Sequence, residues 1–225
     1  MELNLVLLGP PGSGKGTQGE RLQEDLRLPY WATGDILRAA VRDETELGRE
    51  AKQYMDRGDL VPDEVIVGAI AERIDSGEAA DGFILDGFPR TVPQAEALAA
   101  KLDELGRELT AVLLIDASEE EVERRLGGRR TCVEGGHVFH VEFNPPEREG
   151  ICDVDGSELI VRDDDRPEVI RRRLETYHEK TEPLISFYDR RSLLRRIDGG
   201  AEPGAVAAEL ERSLATLKLE ADEAI

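Results

Sequence analysis

A glycine-rich turn near the start of the chain limits the possible folds more than any other stretch. The apolar run Leu5–Leu8 is typical of a buried strand, and the segment Gly9–Thr17 (GPPGSGKGT) follows it directly. Beyond the turn, Leu22 and Leu26 recur four residues apart, as on one face of a helix. A strand, a glycine turn and a helix in this order form the context of a phosphate-binding loop.

The residues of this turn are suited to holding phosphate. The glycines at 9, 12 and 14 can adopt positive φ, which lets the backbone approach an anion and turns successive N–H groups inward. The N-terminus of the following helix adds partial positive charge, and Lys15 supplies a full charge for the terminal phosphates. Gly16 follows the lysine where most such loops have Ser or Thr, so the usual hydroxyl contact to magnesium is not expected there. An ordinary strand-to-helix turn is the alternative, which this spacing disfavours.

The composition argues against several classes of protein. The 225 residues include 49 acidic and 29 basic ones, a net charge of −20, which is the opposite of a nonspecific nucleic-acid binder. The chain shows neither a membrane-length apolar run nor a signal peptide, so we expect a cytoplasmic protein without a membrane partner. Arginines far outnumber lysines; adaptation to a high-salt cytoplasm and a high-GC genome are both open as explanations.

Strands and helices alternate along the chain, which predicts a parallel sheet wrapped by helices. The predicted strands are Leu5–Leu8, Pro29–Ala32, Gly82–Asp86, Ala111–Asp116 and Leu194–Ile197. From 127 to 165 the composition shifts to turn residues between short alternating segments, which predicts a small β-rich insertion. Ligands bind at the carboxyl ends of parallel strands, where the phosphate loop, Asp86 and Gly87–Arg90 all fall.

Capping residues predict where several helices begin. Ser118 followed by Glu121 is a capping-box signal, and Thr33 or Asp35 is expected to cap the helix after the second strand. One long helix is expected from Glu168 to about Arg191, with Asp165 as its cap.

Seven motifs occur in order and span nearly the whole chain. They are Gly9–Thr17, TGDILR at 33–38, DGFPRT at 86–91, GRR at 128–130, FNPP at 143–146, RDDD at 162–165 and RL at 173–174. Together they resemble those of the adenylate kinases of the long-lid bacterial type. The resemblance implies an α/β fold, a P-loop three-layer α/β/α architecture with a five-stranded parallel sheet, a small helical AMP-binding insertion and a small β-rich lid. It implies reversible phosphoryl transfer from MgATP to AMP, giving two ADP.

The resemblance also divides the chain into three parts. Residues 1–31, 62–127 and 166–225 are expected to form the P-loop core, 32–61 the AMP-binding insertion and 128–165 the lid. Closure of the two smaller parts would exclude water that otherwise hydrolyses ATP. The resemblance implies a monomer that binds ATP, AMP and ADP.

Matching motifs assign the site residues. The AMP phosphate is itself a nucleophile, so the chemistry needs alignment and charge stabilisation rather than a catalytic Ser, Cys or His. The groups expected to act on the phosphates are Lys15, Asp86, Arg90, Arg129, Arg162 and Arg173. The expected ATP-binding residues are Gly12, Ser13, Gly14, Lys15, Gly16, Thr17, Arg125, Arg129, Phe139 and His140. The expected AMP-binding residues are Thr33, Arg38, Leu60, Val61, Gly87, Arg90, Gln94, Arg162 and Arg173. Asp86 would orient waters around Mg²⁺, and Thr33 favours AMP as the acceptor.

The two cysteines, Cys132 and Cys152, both lie in the predicted lid, and we do not expect a disulfide in a cytoplasmic protein. Long-lid relatives often carry a zinc site here, and Cys132, Cys152 and Asp155 match three of its four ligands. Gly135 stands where the second ligand belongs, and His137 is the candidate for the missing ligand. A degenerate, metal-free site held by hydrogen bonds is the alternative.

Other functions are also open. A nucleoside monophosphate kinase with another acceptor or a GTP donor is the nearest. A P-loop switch or motor ATPase is disfavoured because the chain lacks an N-K-x-D motif and carries a second set of arginines. The same intact arginines argue against a noncatalytic nucleotide-binding protein.

Overall fold

Five short strands form one parallel sheet; numbered along the chain, they lie in the order second, third, first, fourth and eighth. The structure, a computed structural model, describes the backbone of residues 2–223 and the side chains of residues 2–220; Met1, Ala224 and Ile225 of the predicted core lie outside these. The strands are β1 (Leu3–Leu8), β2 (Tyr30–Ala32), β3 (Gly82–Asp86), β4 (Ala111–Asp116) and β8 (Leu194–Asp198). The predicted parallel sheet is therefore confirmed, and all five predicted strands belong to it.

Nine helices accompany the strands in the part of the chain that the structure describes. They are α1 (Lys15–Leu26), α2 (Thr33–Arg42), α3 (Glu46–Met55), α4 (Asp63–Asp75), α5 (Val92–Glu104), α6 (Glu119–Gly128), α7 (Pro167–Thr176), α8 (Pro183–Asp189) and α9 (Pro203–Glu223).

Alternate side chains of each central strand reach opposite faces of the sheet, so both faces carry apolar layers. Val6 and Leu8 pack on the side of α2–α5 and α8, whereas Leu5 and Leu7 pack on the side of α1 and α9. This is the predicted three-layer α/β/α arrangement.

A second, three-stranded sheet lies between α6 and α7. Its strands are β5 (Arg129–Cys132), β6 (Val138–His140) and β7 (Leu159–Ile160), antiparallel in the order β6-β5-β7. Cys132, Phe139, Cys152 and Leu159 form its small buried cluster. The β-rich insertion predicted from turn residues is confirmed.

The prediction of one long helix from Glu168 to Arg191 is wrong in one respect, because the helix is divided. A π-helical turn, Tyr177–Thr181, separates α7 from α8. Pro183 has no N–H to donate to the preceding turn, and the Glu182 N–H bonds to the Tyr177 carbonyl, five residues back, at 2.8 Å. The proline thus accounts for the change from α to π spacing.

Two expected helix caps are also wrong, because the side chains have stronger partners elsewhere. Arg166, not Asp165, is the cap of α7, and the Asp165 carboxylate is buried against arginines. Ala32 precedes α2 without a side-chain cap, and the Thr33 hydroxyl donates to the Gly87 carbonyl at 2.8 Å. Ser118 does cap α6, accepting from the Glu121 N–H.

Hydropathy sets one limit on the described helices. Among them, none combines the length and the apolar character needed to cross a lipid bilayer.

Candidate active site

The glycine-rich turn connects β1 to α1. Gly9, Gly12 and Gly14 have φ values of 145°, 76° and 98°, which other residues rarely adopt. Space is also limited, since a Cβ at Gly9 would lie 2.2 Å from the Ile115 carbonyl oxygen and one at Gly12 would lie 2.8 Å from Leu126 Cγ. The loop conformation therefore depends on glycine at these positions.

Lys15, the first residue of α1, points back over the loop. Its Nζ donates to the carbonyl oxygens of Gly9 and Pro10 at 2.9 and 2.7 Å. Burial lowers the pKa of Lys15 to about 8; the Asp86 carboxylate opposes this shift, whereas nearby guanidinium groups add to it. The lysine charge thus lacks a full counter-charge, and a phosphate in the loop would supply one.

Two adjacent acids join three of the predicted arginines. Asp165, whose side chain is fully buried, accepts two hydrogen bonds from Arg129 at 2.7 and 2.5 Å and one from Arg173 at 3.2 Å. Asp164 Oδ2 lies 3.2 Å from Arg173 Nη1 and 3.8 Å from Arg38 Nη1. The guanidinium groups from α2, β5 and α7 therefore converge on one small region.

This region keeps a surplus of positive charge. Burial, reinforced by Arg173, lowers the pKa of Arg90 to about 10. Burial, reinforced by Arg129 and Arg38, likewise lowers the pKa of Arg162 to about 10. Guanidinium pKa values fall where cations are desolvated and face one another, so an anion placed among these groups would be stabilised.

A cavity opens beside the arginines. All but one of the residues predicted to bind AMP line it: Thr33, Arg38, Leu60, Val61, Gly87, Arg90, Gln94 and Arg173. Arg162 is the exception, and its Nε donates to Thr131 Oγ1 in β5 at 2.8 Å. The cavity combines apolar walls, which suit a base, with guanidinium groups, which suit a phosphate, as a nucleoside monophosphate requires.

Of the residues predicted to bind ATP outside the loop, Arg125 lies beside the loop, whereas Phe139 and His140 lie in the lid sheet. Arg125 Nη1 donates to the Ser13 carbonyl of the phosphate loop at 3.2 Å, so it lies beside the expected triphosphate site. His140 stacks on Phe143 with ring centroids 4.3 Å apart. Phe139 alternates with His140 along β6, and its side chain is buried in the lid cluster. The part expected for Phe139 in ATP binding stays a prediction, with its side chain packed inside the lid.

Asp86 ends β3 at the floor of the site. Its Oδ2 accepts a hydrogen bond from the Tyr30 hydroxyl at 2.9 Å, and burial next to this carboxylate raises the pKa of Tyr30 far above its usual range. The tyrosine therefore remains a donor and holds Asp86 in place.

The four predicted metal ligands meet at one point in the lid. One ligand atom each from Cys132, His137, Cys152 and Asp155 lies within 4.8 Å of the others. His137 Nδ1 lies 3.3 Å from Cys152 Sγ and 3.4 Å from Asp155 Oδ2. A Cβ at Gly135 would lie 2.2 Å from His137 Cε1, so the imidazole fills the space that a side chain at position 135 would need. This donor set fits zinc.

Sequence reasoning gave no site role to several residues of the site, among them Asp164, Tyr30 and Asp63. Asp164 lines the cavity, Tyr30 orients Asp86, and Asp63 contacts Gln94. The signal for Asp164 was present in RDDD, but a run of acids near a helix start indicates a turn or a cap more readily than a partner for arginine. Local sequence does not show which way such side chains point.

A phosphate-binding loop and a separate arginine-lined cavity, at one edge of a parallel sheet, define a P-loop nucleotide-binding enzyme with two anion sites. The chain belongs to the adenylate kinase family, whose family model matches residues 7–193. It is 50% identical over 212 residues to an adenylate kinase of Methanococcoides burtonii, covering 94% of this chain and 98% of that protein. It is 49% identical to one of Shouchella clausii over the same shares, and 48% identical to one of Staphylococcus aureus over 92% of this chain and 97% of that protein.

Proposed function

We propose that the protein transfers the γ-phosphoryl group of MgATP to AMP and, in the reverse direction, between two ADP. The observation that carries the proposal is the pair of anion sites. The loop that holds Lys15 is one of them, and the cavity lined by Arg38, Arg90 and Arg173 is the other. Transfer between two nucleotides requires two such sites in one molecule.

The reaction needs no proton abstraction. An oxygen of the AMP phosphate attacks the γ-phosphorus, and the bond from that phosphorus to the β–γ bridging oxygen breaks in line with the attack. The bridging oxygen leaves on one ADP, and the former AMP becomes the other. The contribution of the protein is alignment, charge stabilisation and exclusion of water.

The loop and the two sets of arginines have different parts in the phosphoryl transfer. The loop amides and Lys15 bind the β- and γ-phosphates, and Arg38 and Arg90 bind the AMP phosphate. The groups that gather around the phosphoryl in transfer are Arg129, Arg162 and Arg173. Magnesium, bound with ATP, shields phosphate charge, and Asp86 would orient its waters.

The adenine rings would occupy different walls of the site. Thr33, Leu60, Val61, Gly87 and Gln94 would frame the AMP base within the cavity. Arg125 and His140 would contact the ATP base from α6 and β6. The nucleoside monophosphate kinase with another acceptor or a GTP donor is the less favoured alternative, since the relatives named above are adenylate kinases.

The division into a core, an AMP-binding insertion (32–61) and a lid (128–165) is part of the proposal. It is supported by the separate lid sheet and by the position of Asp164, which lies between Arg38 of the insertion and Arg173 of the core. Both sites are built from one chain, which supports a monomer, and its substrates support a cytoplasmic location.

The experiment is ADP formation from ATP and AMP, with UMP, CMP and GMP as alternative acceptors and GTP as alternative donor. We expect AMP and ATP to be preferred. Lys15→Met should reduce kcat by at least about 100-fold, whereas Lys52→Met, on the exposed side of α3, should leave it unchanged. Retained activity in the Lys15 variant would contradict the assignment.

We also propose that Cys132, His137, Cys152 and Asp155 bind structural zinc in the lid. The convergence of two sulfurs, an imidazole nitrogen and a carboxylate supports the proposal. Despite burial, hydrogen bonds from Ser157 and from the Gly135 amide lower the pKa of Cys132 to about 7, which favours the thiolate that zinc needs.

A further inference from the structure

Asp63 makes a pair of hydrogen bonds that reach from α4 to the start of α5. It is the first residue of α4. Its Oδ1 accepts from Gln94 Nε2 at 2.6 Å, and its Oδ2 accepts from the Thr91 hydroxyl at 2.9 Å. Gln94 is 2% exposed and lines the cavity, whereas Asp63 lies behind it. Asp63 is thus placed to act on a cavity residue without lining the cavity itself.

The partners of Gln94 determine the orientation of its amide. The Arg90 backbone N–H, which can only donate, meets Gln94 Oε1 at 2.7 Å. The Asp63 carboxylate accepts, so it must meet Nε2. A flipped amide would face donor with donor at Arg90 and oxygen with oxygen at Asp63. Two independent partners therefore favour the same orientation.

This orientation determines what the cavity offers to a base. Nε2 carries two hydrogens, and Asp63 takes one; within the described backbone (2–223) and side chains (2–220), the other has no protein acceptor. Thr91, which caps α5 by accepting from the Gln94 N–H at 3.2 Å, holds the same end of the helix in place. The group of the Gln94 amide left for a ligand is thus an N–H donor, whereas the carbonyl oxygen is already engaged by the Arg90 N–H.

We propose that Asp63 is a specificity-determining positioning residue that orients the Gln94 amide to favour a 6-aminopurine over a 6-oxopurine. Ring nitrogen N1 of adenine accepts a hydrogen bond, whereas N1 of hypoxanthine or guanine carries a hydrogen and repels a fixed donor. The inference rests on the proposed function, in which AMP occupies this cavity. It adds a residue that selects the base without touching it.

The test compares AMP with IMP as acceptors, because their bases differ only in the 6-substituent and in the hydrogen on N1. Asp63→Ala removes one of the two partners that orient the amide. We expect the preference for AMP over IMP, measured as the ratio of kcat/KM values, to fall by about tenfold, mainly through KM for AMP. KM for ATP should not change.

Asp63→Asn is the conservative variant. Its oxygen can still accept from Gln94, and its amide can donate to Thr91, so the AMP preference should be retained within about threefold. Asp75→Ala is the matched control for the link between α4 and α5, because Asp75 joins the other end of α4 to Lys101 in α5 at 2.8 Å. This control should leave the ratio unchanged.

A double variant keeps the test decisive if Asp63→Ala does not fold. Asp63→Asn combined with Gln94→Glu preserves the hydrogen-bond connections but presents only acceptor oxygens to the cavity. The preference should then shift towards IMP, whose N1–H can donate.

Three outcomes would contradict the inference: an unchanged AMP to IMP ratio in Asp63→Ala, an equal loss in Asp63→Asn, or an undiminished AMP preference in the double variant. Failure of the proposed function is a separate result, since the unaltered protein would then form no ADP from ATP and AMP.

Discussion

Lys15 illustrates how a single buried charge links binding to pH. Its pKa of about 8 lies below the ordinary value because the ammonium group is buried. Above about pH 8 the free protein holds a neutral lysine, and bound phosphates would restore the proton. We therefore expect ATP affinity to fall above pH 8 and ATP binding at pH 8.5 to take up a proton.

Calorimetry of ATP binding in two buffers with different ionisation enthalpies would measure this uptake. Little uptake is expected at pH 7, where the lysine is already charged. Lys15→Met should abolish the uptake at pH 8.5. Equal enthalpies in both buffers at pH 8.5 would contradict the prediction.

Asp164 is a carboxylate that lies among the arginines of the cavity. Four guanidinium groups keep its pKa low in spite of burial, so it stays ionised and competes with an incoming phosphate for Arg38 and Arg173. Asp164→Asn should therefore tighten AMP and inorganic phosphate binding by about threefold. Asp163→Asn, which affects an exposed pair with Arg166, is the control and should change little. Weaker phosphate binding in Asp164→Asn would show that the carboxylate positions the arginines rather than competing for them.

Residue types were easier to predict than side-chain directions. The sequence predicts roles for Lys15, Arg38 and Arg90 because their charges stand at positions that match the family's motifs and suit phosphate chemistry. It does not identify Asp63 or Asp164, because each acts through a partner far away in the chain: Gln94 lies 31 residues from Asp63. Only the folded arrangement shows such pairs.

At the scale of elements, boundaries set by local chemistry were predictable and those set by long-range contacts were not. Ser118 caps α6 as its spacing predicts, because the bond spans three residues. Asp165 does not cap α7, because burial with Arg129 offers a charge-assisted pair that a solvent-exposed cap does not. The π-turn before α8 also escaped prediction, since helical periodicity alone does not show how the chain adjusts ahead of Pro183.

His178 links that π-turn to the first residue of α6. Its Nδ1 lies 2.8 Å from Glu182 and its Nε2 lies 3.0 Å from Glu119, and the bond to Glu182 does most to raise the pKa of His178. Because the folded-state pKa exceeds the ordinary value, the stabilisation is full below about pH 6.5 and is lost as pH rises through the raised pKa.

His178→Gln should therefore lower the free energy of unfolding by about 0.5 kcal/mol at pH 6, a small effect because the pair is partly exposed, and by much less at pH 9. Urea unfolding at the two pH values measures the difference. Glu119→Gln should reproduce part of it. An equal loss at pH 6 and pH 9 would contradict an ionic link.

The lid cluster makes a prediction about metal content. Purified protein should contain stoichiometric zinc, and Cys132→Ser or His137→Ala should lose most of it and lower the unfolding temperature. Glu134→Ala, an exposed acid of the same turn, is the control and should keep the metal. Zinc-free protein with an unaltered lid would leave the alternative, in which the cluster is held by hydrogen bonds.

At the scale of the whole molecule, the net negative charge affects the stability of the fold rather than the nucleotide site. A net charge of −20 repels itself, and this repulsion opposes the compact state at low ionic strength. The arginine cluster proposed to bind phosphate is too local to offset this repulsion. Salt should therefore stabilise the protein by screening.

Screening and general salting-out predict different salt profiles. The Debye length falls from about 10 Å at 0.1 M to about 3 Å at 1 M, so a screening effect should gain most of its stabilisation below about 1 M KCl and then level off. A salting-out effect on apolar surface would keep rising with concentration. Urea unfolding at a series of KCl concentrations, repeated in NaCl, distinguishes them. If the free energy of unfolding is the same at 0.05 M and 1 M, repulsion is negligible, and the excess of arginine over lysine is better explained by genome composition than by a salt-adapted surface.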